Sequence, residues 1–226
     1  MPFVILLDGI GVIAGTVIGC AVRRHISARL QESMNLALAA VTVGIGVQLV
    51  GKASHMSAAV LALLIGGLIG HALKIDARLR NISSLLPDTG GGETAQTLLV
   101  AFSLYCISTT CVIGALDLGF SGDTTVLTTK AIMDCTASLF FAAGSGLILC
   151  AISLPLTLIL FLCYFLSGWL MPSLTPEMIG DFSACGGLIQ FLNAMRIAKI
   201  KDPPVADFMP ALVIVFFISA FWTRYM

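Results

Sequence analysis

Hydrophobic and polar residues alternate along this chain in long blocks, and the apolar blocks have the length that a lipid bilayer requires. A transmembrane helix needs about 20 predominantly apolar residues, and the chain contains about eight stretches of roughly that length. The predicted spans cover residues 3–22, 34–50, 56–73, 94–116, 125–149, 151–170, 178–198 and 208–222. The pattern therefore predicts an all-α, polytopic membrane protein in which residues 1–226 form a single transmembrane domain.

The composition excludes several other classes of protein. Of the 226 residues, 58% are hydrophobic and 11% are charged, which is typical of an integral membrane protein and not of a soluble domain. The formal net charge of zero gives no indication of a nucleic-acid partner. The seven cysteines lie in apolar segments without a CxxC pair, so we interpret them as small packing residues and expect no metal site.

Lysine and arginine residues predict the orientation of the spans. Basic residues are concentrated after the first, third and seventh spans, and cytoplasmic loops carry such an excess. This distribution places both termini outside and makes residues 74–93, the longest polar stretch, a cytoplasmic loop between the third and fourth spans. The basic residues are Arg23, Arg24, Arg29, Lys74, Arg78, Arg80, Lys199 and Lys201.

The fifth span carries the most unusual charges of the chain. Lys130 and Asp134 are four residues apart, so their side chains share one helix face, and Asp123 lies near the same stripe. A charge at the centre of a bilayer costs about 2.5 to 3.5 kcal/mol even on insertion scales. Two hypotheses follow: a buried ion pair that only sets helix packing, or a site for a polar solute, an ion or a proton.

The seventh span is too polar to face lipid. Asp181, Gln190, Asn193 and Arg196 lie within it, so we expect it to face protein or water. These four residues, together with Asp123, Lys130 and Asp134, form the predicted solute- or ion-binding site. We also expect backbone breaks in the fifth and seventh spans, at Gly144, Gly146, Gly186 and Gly187.

Glycines in the first span predict a close helix contact. Gly11, Gly15 and Gly19 form overlapping GxxxG motifs, whose flat face lets another helix approach. Because eight short helices leave few layers in which to bury a path, we expect a homo-oligomer, most simply a dimer, and this glycine face is its candidate interface. We expect Asp8, near the outer end of the span, to be solvated or interfacial, and residues 114–122 to form a loop.

A weak internal repeat suggests a symmetric architecture. Residues 56–70 resemble residues 209–222, and residues 36–50 can be aligned with residues 184–198. Spans one to three would then correspond to spans six to eight. An offset of five spans inverts the second copy across the membrane, which is a recurrent arrangement in transporters. The alternative is that Ala-, Gly- and Leu-rich helices resemble one another by composition alone.

Three segments resemble a known bacterial family. They are GDTTVLTTKAIMD at residues 122–134, DFSACGGLI at residues 181–189 and DFMPAL at residues 207–212. The chain resembles, over nearly its whole length, a bacterial inner-membrane family catalogued as a domain of unknown function, number 554, which includes the YqgA-type proteins. The resemblance implies a multi-pass protein of the inner membrane, often labelled a transporter, and implies no particular substrate.

These observations favour a secondary transporter or permease for a small solute or ion. The alternatives are a scaffold or accessory subunit that uses the same charges to recognise partner helices, and an ion channel. We do not expect an enzyme, because the chain has neither an HExxH motif nor a GxSxG nucleophile, and its three histidines are far apart. No cofactor is expected, and the expected partners are membrane lipids, the solute and a second copy of the chain.

Overall fold

The computed structural model describes residues 3–23, 27–83, 98, 101–102, 104–106, 108–120, 122–170 and 174–225. These residues form α-helices, short 3-10 helices and brief connections, grouped into two compact units. The first unit comprises Met1–Asn35 and Ser83–Ser173, and the second comprises Leu36–Ile82 and Leu174–Met226.

The first unit contains α1 (Phe3–Val22), α5 (Thr109–Phe120), α6 (Thr125–Ser145) and α7 (Ser153–Leu170), with a 3-10 helix (Gly146–Ile152) between the last two. The predicted bounds of the first span are confirmed. The predicted backbone break at Gly146 is also confirmed, because this residue ends α6 with φ of 73°, a left-handed conformation that favours glycine. Pro155 lies in the first turn of α7, where its missing N–H breaks no helical hydrogen bond.

Glycines bring α1 and α6 into close contact within the first unit. A Cβ atom added at Gly15 would overlap the carbonyl oxygen of Cys135, and one added at Gly19 would overlap the carbonyl oxygen of Leu139. At Gly11 the same atom would lie 3.3 Å from the carbonyl oxygen of Ala131. The predicted close helix contact exists, but its partner is α6 of the same chain. The glycine face therefore cannot serve as the oligomer interface that the sequence suggested.

The second unit contains most of α2 (Ala28–Val50), α3 (Met56–Leu73), α4 (Ile75–Ser83), α8 (Pro176–Ile197), a 3-10 helix (Val205–Phe208) and α9 (Met209–Tyr225). Lys74, with φ of 52°, separates α3 from α4. Thr175 caps α8 by accepting a hydrogen bond from the Met178 N–H at 3.3 Å, and Pro176 occupies the first helical position.

Small residues also set the packing in the second unit. Gly66 of α3 lies against the backbone of Ala211 in α9, and Gly70 lies against the backbone of Asp207. Gly187 of α8 lies against α2, and a Cβ atom added there would be 2.7 Å from the carbonyl oxygen of Gly46. Most residues of α8 are buried, so the prediction that the polar seventh span faces protein is confirmed.

Two local expectations are wrong. Residues 114–120 continue α5 instead of forming a loop, because their apolar residues extend the helical pattern to Phe120. The breaks expected at Gly144, Gly186 and Gly187 are absent, because Gly144 lies within α6 and the other two lie within the uninterrupted helix α8. Gly187 serves close packing instead. Two other predictions fall partly outside the described residues: the fourth span, and the loop at 74–93, whose first part forms α4.

Five stretches in the described part of the chain are long and apolar enough to cross a membrane: Phe3–Val22, Arg29–Val50, Met56–Leu73, Thr125–Trp169 and Val205–Arg224. The fourth of these has 45 residues and includes both α6 and α7. α8 has sufficient length, at 22 residues, but is more polar. The chain is therefore an all-α polytopic membrane protein.

Candidate functional site

A buried ion pair lies on α6 in the first unit. Lys130 and Asp134 are 3% and 6% exposed, and the Lys130 ammonium contacts the Asp134 carboxylate directly. Their four-residue spacing places them one turn apart on the same face. The predicted shared face is thus confirmed.

Asp8 of α1 completes this cluster, contrary to the expectation that it is solvated or interfacial. Its side chain is fully buried, and its Oδ2 lies 3.3 Å from the Lys130 Nζ. The reason is the glycine packing, which brings the backbone of α1 against α6 and carries Asp8 inward with it. A signal existed in the sequence: Asp8 precedes Gly11, Gly15 and Gly19 at helical spacing, so it lies on the same face as the glycines.

Tyr105 borders the cluster from the helical stretch at residues 104–106. Its ring is fully buried, and the Lys130 Nζ lies 5.9 Å from the ring centroid, within the range of a cation–π contact. The Ser138 hydroxyl, one turn beyond Asp134, donates a hydrogen bond to the Tyr105 Oη at 3.0 Å. The cluster is consequently enclosed by buried side chains of α1, α6 and the Tyr105 segment.

The charges in this cluster do not balance. Asp8 and Asp134 supply two carboxylates, and Lys130 supplies one ammonium group. With all three ionised, one negative charge remains uncompensated among buried, mostly apolar residues. Since burying an unpaired charge is costly, this arrangement can attract a proton or a cationic group of a ligand.

The structure places Asp123 outside the cluster. Asp123 is exposed before α6, and its Oδ1 accepts a hydrogen bond from the Thr125 N–H at 2.9 Å. This hydrogen bond lowers the pKa of the Asp123 carboxyl by stabilising its charged form. The resulting contribution to stability is present above the pKa of the unfolded chain and is lost as the pH falls through the lower folded pKa.

The other four predicted site residues belong to the second unit, where Asp181 is a structural anchor. Its fully buried carboxylate accepts hydrogen bonds from the N–H groups of Ser54 and His55 at 3.0 and 2.6 Å, and from the Ser219 hydroxyl at 2.6 Å. The His55 Nδ1 lies 3.4 Å away. Asp181 thereby joins α8 to α9 and to the connection before α3.

We expect Asp181→Ala to lower the free energy of unfolding by about 2 kcal/mol, because it leaves buried donors without their acceptor. Asp181→Asn keeps one acceptor oxygen and should lose less. Reversible denaturation of the purified protein in mixed detergent micelles measures both. Equal stability of Asp181→Ala and the parent would contradict the anchoring role.

Arg196 anchors a different part of the second unit. Its Nε lies 2.7 Å from the Asp202 Oδ1, and one terminal nitrogen lies 3.7 Å from the Asp76 Oδ1. Asp76 in turn donates its backbone N–H to the Asp207 Oδ1 at 2.8 Å. This network ties α4 to the ends of α8 and the following connection. Sequence reasoning did not identify Asp76 or Asp202 as partners of Arg196, because Asp76 is distant in the chain and Asp202 lies in a connection.

Gln190 and Asn193 lie on adjacent turns of α8 and are hydrogen-bonded to each other, with the Asn193 amide donating to the Gln190 Oε1 at 3.2 Å. Both side chains are buried. Asp8, Lys130 and Asp134 form the acid–base cluster of the first unit. Of the seven predicted site residues, only Lys130 and Asp134 belong to it. Asp181, Gln190, Asn193 and Arg196 make their described contacts within the second unit.

Comparison with known proteins gives relatives that carry no assigned activity. The model of the family described as "Protein of unknown function (DUF554)" matches residues 3–220. The uncharacterised protein YqgA of Escherichia coli (strain K12) is 31% identical, and the match covers 99% of this chain and 97% of that protein. The uncharacterised membrane protein YdfK of Bacillus subtilis (strain 168) is 23% identical, with coverage of 97% and 98%. No solved structure gives a significant match.

Proposed function

This chain belongs to the DUF554 family, and we propose that it is a secondary transporter or permease that binds a small solute or ion at the buried cluster of Asp8, Lys130 and Asp134. The observation that carries the proposal is the unequal number of acidic and basic groups in this cluster. Ionisable groups inside membrane spans are rare, and they usually mark a pathway for a solute, an ion or a proton.

A purely structural ion pair explains the buried cluster less well than a binding site does. Lys130 and Asp134 alone would form a neutral pair on one helix. The addition of Asp8 removes this neutrality and adds the cost of a further buried carboxylate. A site that exchanges ligands accounts for this cost, because a bound cation or cationic group would supply the missing charge.

The proposal includes the cellular setting. We place the protein in the bacterial inner membrane with both termini outside, from the distribution of lysine and arginine. The proposal keeps three predictions from the sequence. Spans one to three and six to eight form an inverted repeat, the protein is a homodimer, and its activity is transport and not enzymatic catalysis. Because α6 covers the glycine face of α1, the dimer requires a different surface.

Thermal stability of the purified protein tests the proposed binding site. The parent and Asp134→Asn are heated in detergent with a panel of inorganic ions, carboxylic acids and amino acids. A solute present at 100 times its dissociation constant should stabilise the parent by about 2.7 kcal/mol. We expect that solute to leave Asp134→Asn unchanged, because the variant lacks the carboxylate that binds it.

Glu32→Gln is the matched control, since it also neutralises one carboxylate but at an exposed position on α2. It should respond to the solute as the parent does, and uptake into proteoliposomes then identifies transport. No response to any solute, together with constant co-purification of a second protein, would reject the transporter in favour of an accessory subunit. Fluxes at channel rates with no saturation would instead indicate an ion channel.

A further inference from the structure

We propose that the cluster of Asp8, Lys130 and Asp134 holds one exchangeable proton, shared by the two carboxyl groups. The inference rests on the proposed transport function for its physiological meaning. The proton site itself is argued from the geometry of the cluster and can be tested without a transport substrate.

Charge balance is the first observation. Lys130 contacts Asp134 directly and lies 3.3 Å from Asp8, so one ammonium group serves two carboxylates. A single added proton makes the cluster neutral. Since all three side chains are buried, the neutral form avoids the cost of an unpaired charge in apolar surroundings.

The hydrogen bonding of Asp8 is an independent observation. Its side chain is fully buried, and the Lys130 ammonium lies 3.3 Å from its Oδ2. That contact lacks hydrogen-bond geometry, and neither carboxylate oxygen accepts a well-aligned hydrogen bond from the groups that the structure describes. Buried polar atoms are normally hydrogen-bonded, because an unsatisfied one costs about 1 to 3 kcal/mol. The carboxyl groups of Asp8 and Asp134 lie close together, because both contact the same Lys130 Nζ. A proton between them would give Asp8 the well-aligned hydrogen bond that its ion-pair contact with Lys130 does not provide.

The surrounding groups do not offer another source of positive charge. The titratable groups near the cluster are Tyr105 and Cys106 in the stretch at residues 104–106, Cys111 on α5 and Cys135 on α6. Phenol and thiol groups are neutral or negative, never positive. Among the described residues, Lys130 is therefore the only cation that contacts either carboxylate.

A proton also fits this cluster better than a metal ion. Hard metal cations take six or more oxygen ligands, whereas the cluster presents two carboxylates. The nearby hydroxyl groups of Tyr105 and Ser138 are hydrogen-bonded to each other. The described residues contain no group of three or more His, Cys, Asp or Glu side chains arranged to hold a metal ion. A shared proton needs only the two carboxyl groups.

Infrared difference spectroscopy tests the site directly. Protonated carboxyl groups absorb separately from carboxylates, so a film of purified protein is titrated from acidic to alkaline buffer. We expect a band from a buried protonated carboxyl that disappears with rising pH. The band should be lost completely in Asp8→Asn and in Asp134→Asn. In Asp8→Glu, which retains the acid and is the variant least disturbing to folding, the band should persist at a shifted frequency.

Glu32→Gln is the control and should retain the band unchanged, because Glu32 is an exposed carboxylate on α2. A parent protein without a titrating band from a buried carboxyl would overturn the proposal, and so would such a band that survives both asparagine variants. The result is separable from the transport proposal. A titrating band in a protein that binds no solute of the panel and co-purifies constantly with a second protein would support the proton site while rejecting the broader transport function.

Discussion

Replacing Lys130 with alanine is expected to lower the free energy of unfolding by about 3 to 5 kcal/mol, the cost of breaking a buried ion pair by removing one partner. The loss is large because Lys130 is the shared cation of Asp8 and Asp134, and both carboxylates are buried. Its removal leaves the two buried acidic groups without their shared counter-ion. Reversible denaturation in mixed micelles at neutral pH measures the change.

The double variant Lys130→Ala with Asp134→Asn distinguishes charge from packing. Lys130→Ala leaves two buried carboxyl groups without a counter-ion, so neutralising one of them should restore part of the lost stability. Lys52→Ala is the matched control: Lys52 is exposed, and surface substitutions usually change stability by about 0.5 kcal/mol or less. If Lys130→Ala were no less stable than Lys52→Ala, the acid–base cluster would not exist as described.

Gly15→Ala is expected to destabilise the protein by about 3 kcal/mol, at the upper end for overpacking. Its Cβ atom would overlap the carbonyl oxygen of Cys135, which is backbone and cannot move aside as a flexible side chain can. α1 and α6 would have to separate. Because Asp8 lies on α1 and Lys130 on α6, the separation should also weaken solute binding at the cluster.

Gly44→Ala is the control for this substitution. Gly44 also lies within a helix, but a Cβ atom there would meet nothing within 4 Å. Alanine is favoured over glycine in a helix by about 1 kcal/mol, so this variant should be as stable as the parent or more stable. Melting temperatures in detergent provide the comparison. Equal melting temperatures for Gly15→Ala and Gly44→Ala would show that α1 and α6 are not in close contact.

Much of the helical structure follows from the sequence, because it depends on properties of each segment alone. A transmembrane helix is predicted when an apolar block is long enough to cross a bilayer, which requires no knowledge of the rest of the chain. This criterion predicted α1 and α3 with their observed bounds. The position of Pro155 follows equally from local chemistry. The pairing of Lys130 with Asp134 needs nothing beyond helical spacing.

The partners of each helix face were decided by the tertiary structure. A glycine stripe specifies that some helix approaches closely, but the motif is the same whether that helix belongs to a second copy or to this chain. In the fold that helix is α6, and the packing of α1 against α6 buries Asp8 next to Lys130. Periodicity likewise placed Asp181 and Arg196 on one polar helix, but only the fold showed that each is held by its own partners in the second unit. The sequence by itself thus determined the class of the protein, its helices and one charged pair. The third member of the cluster, and with it the unbalanced charge, required the packing of residues far apart in the chain.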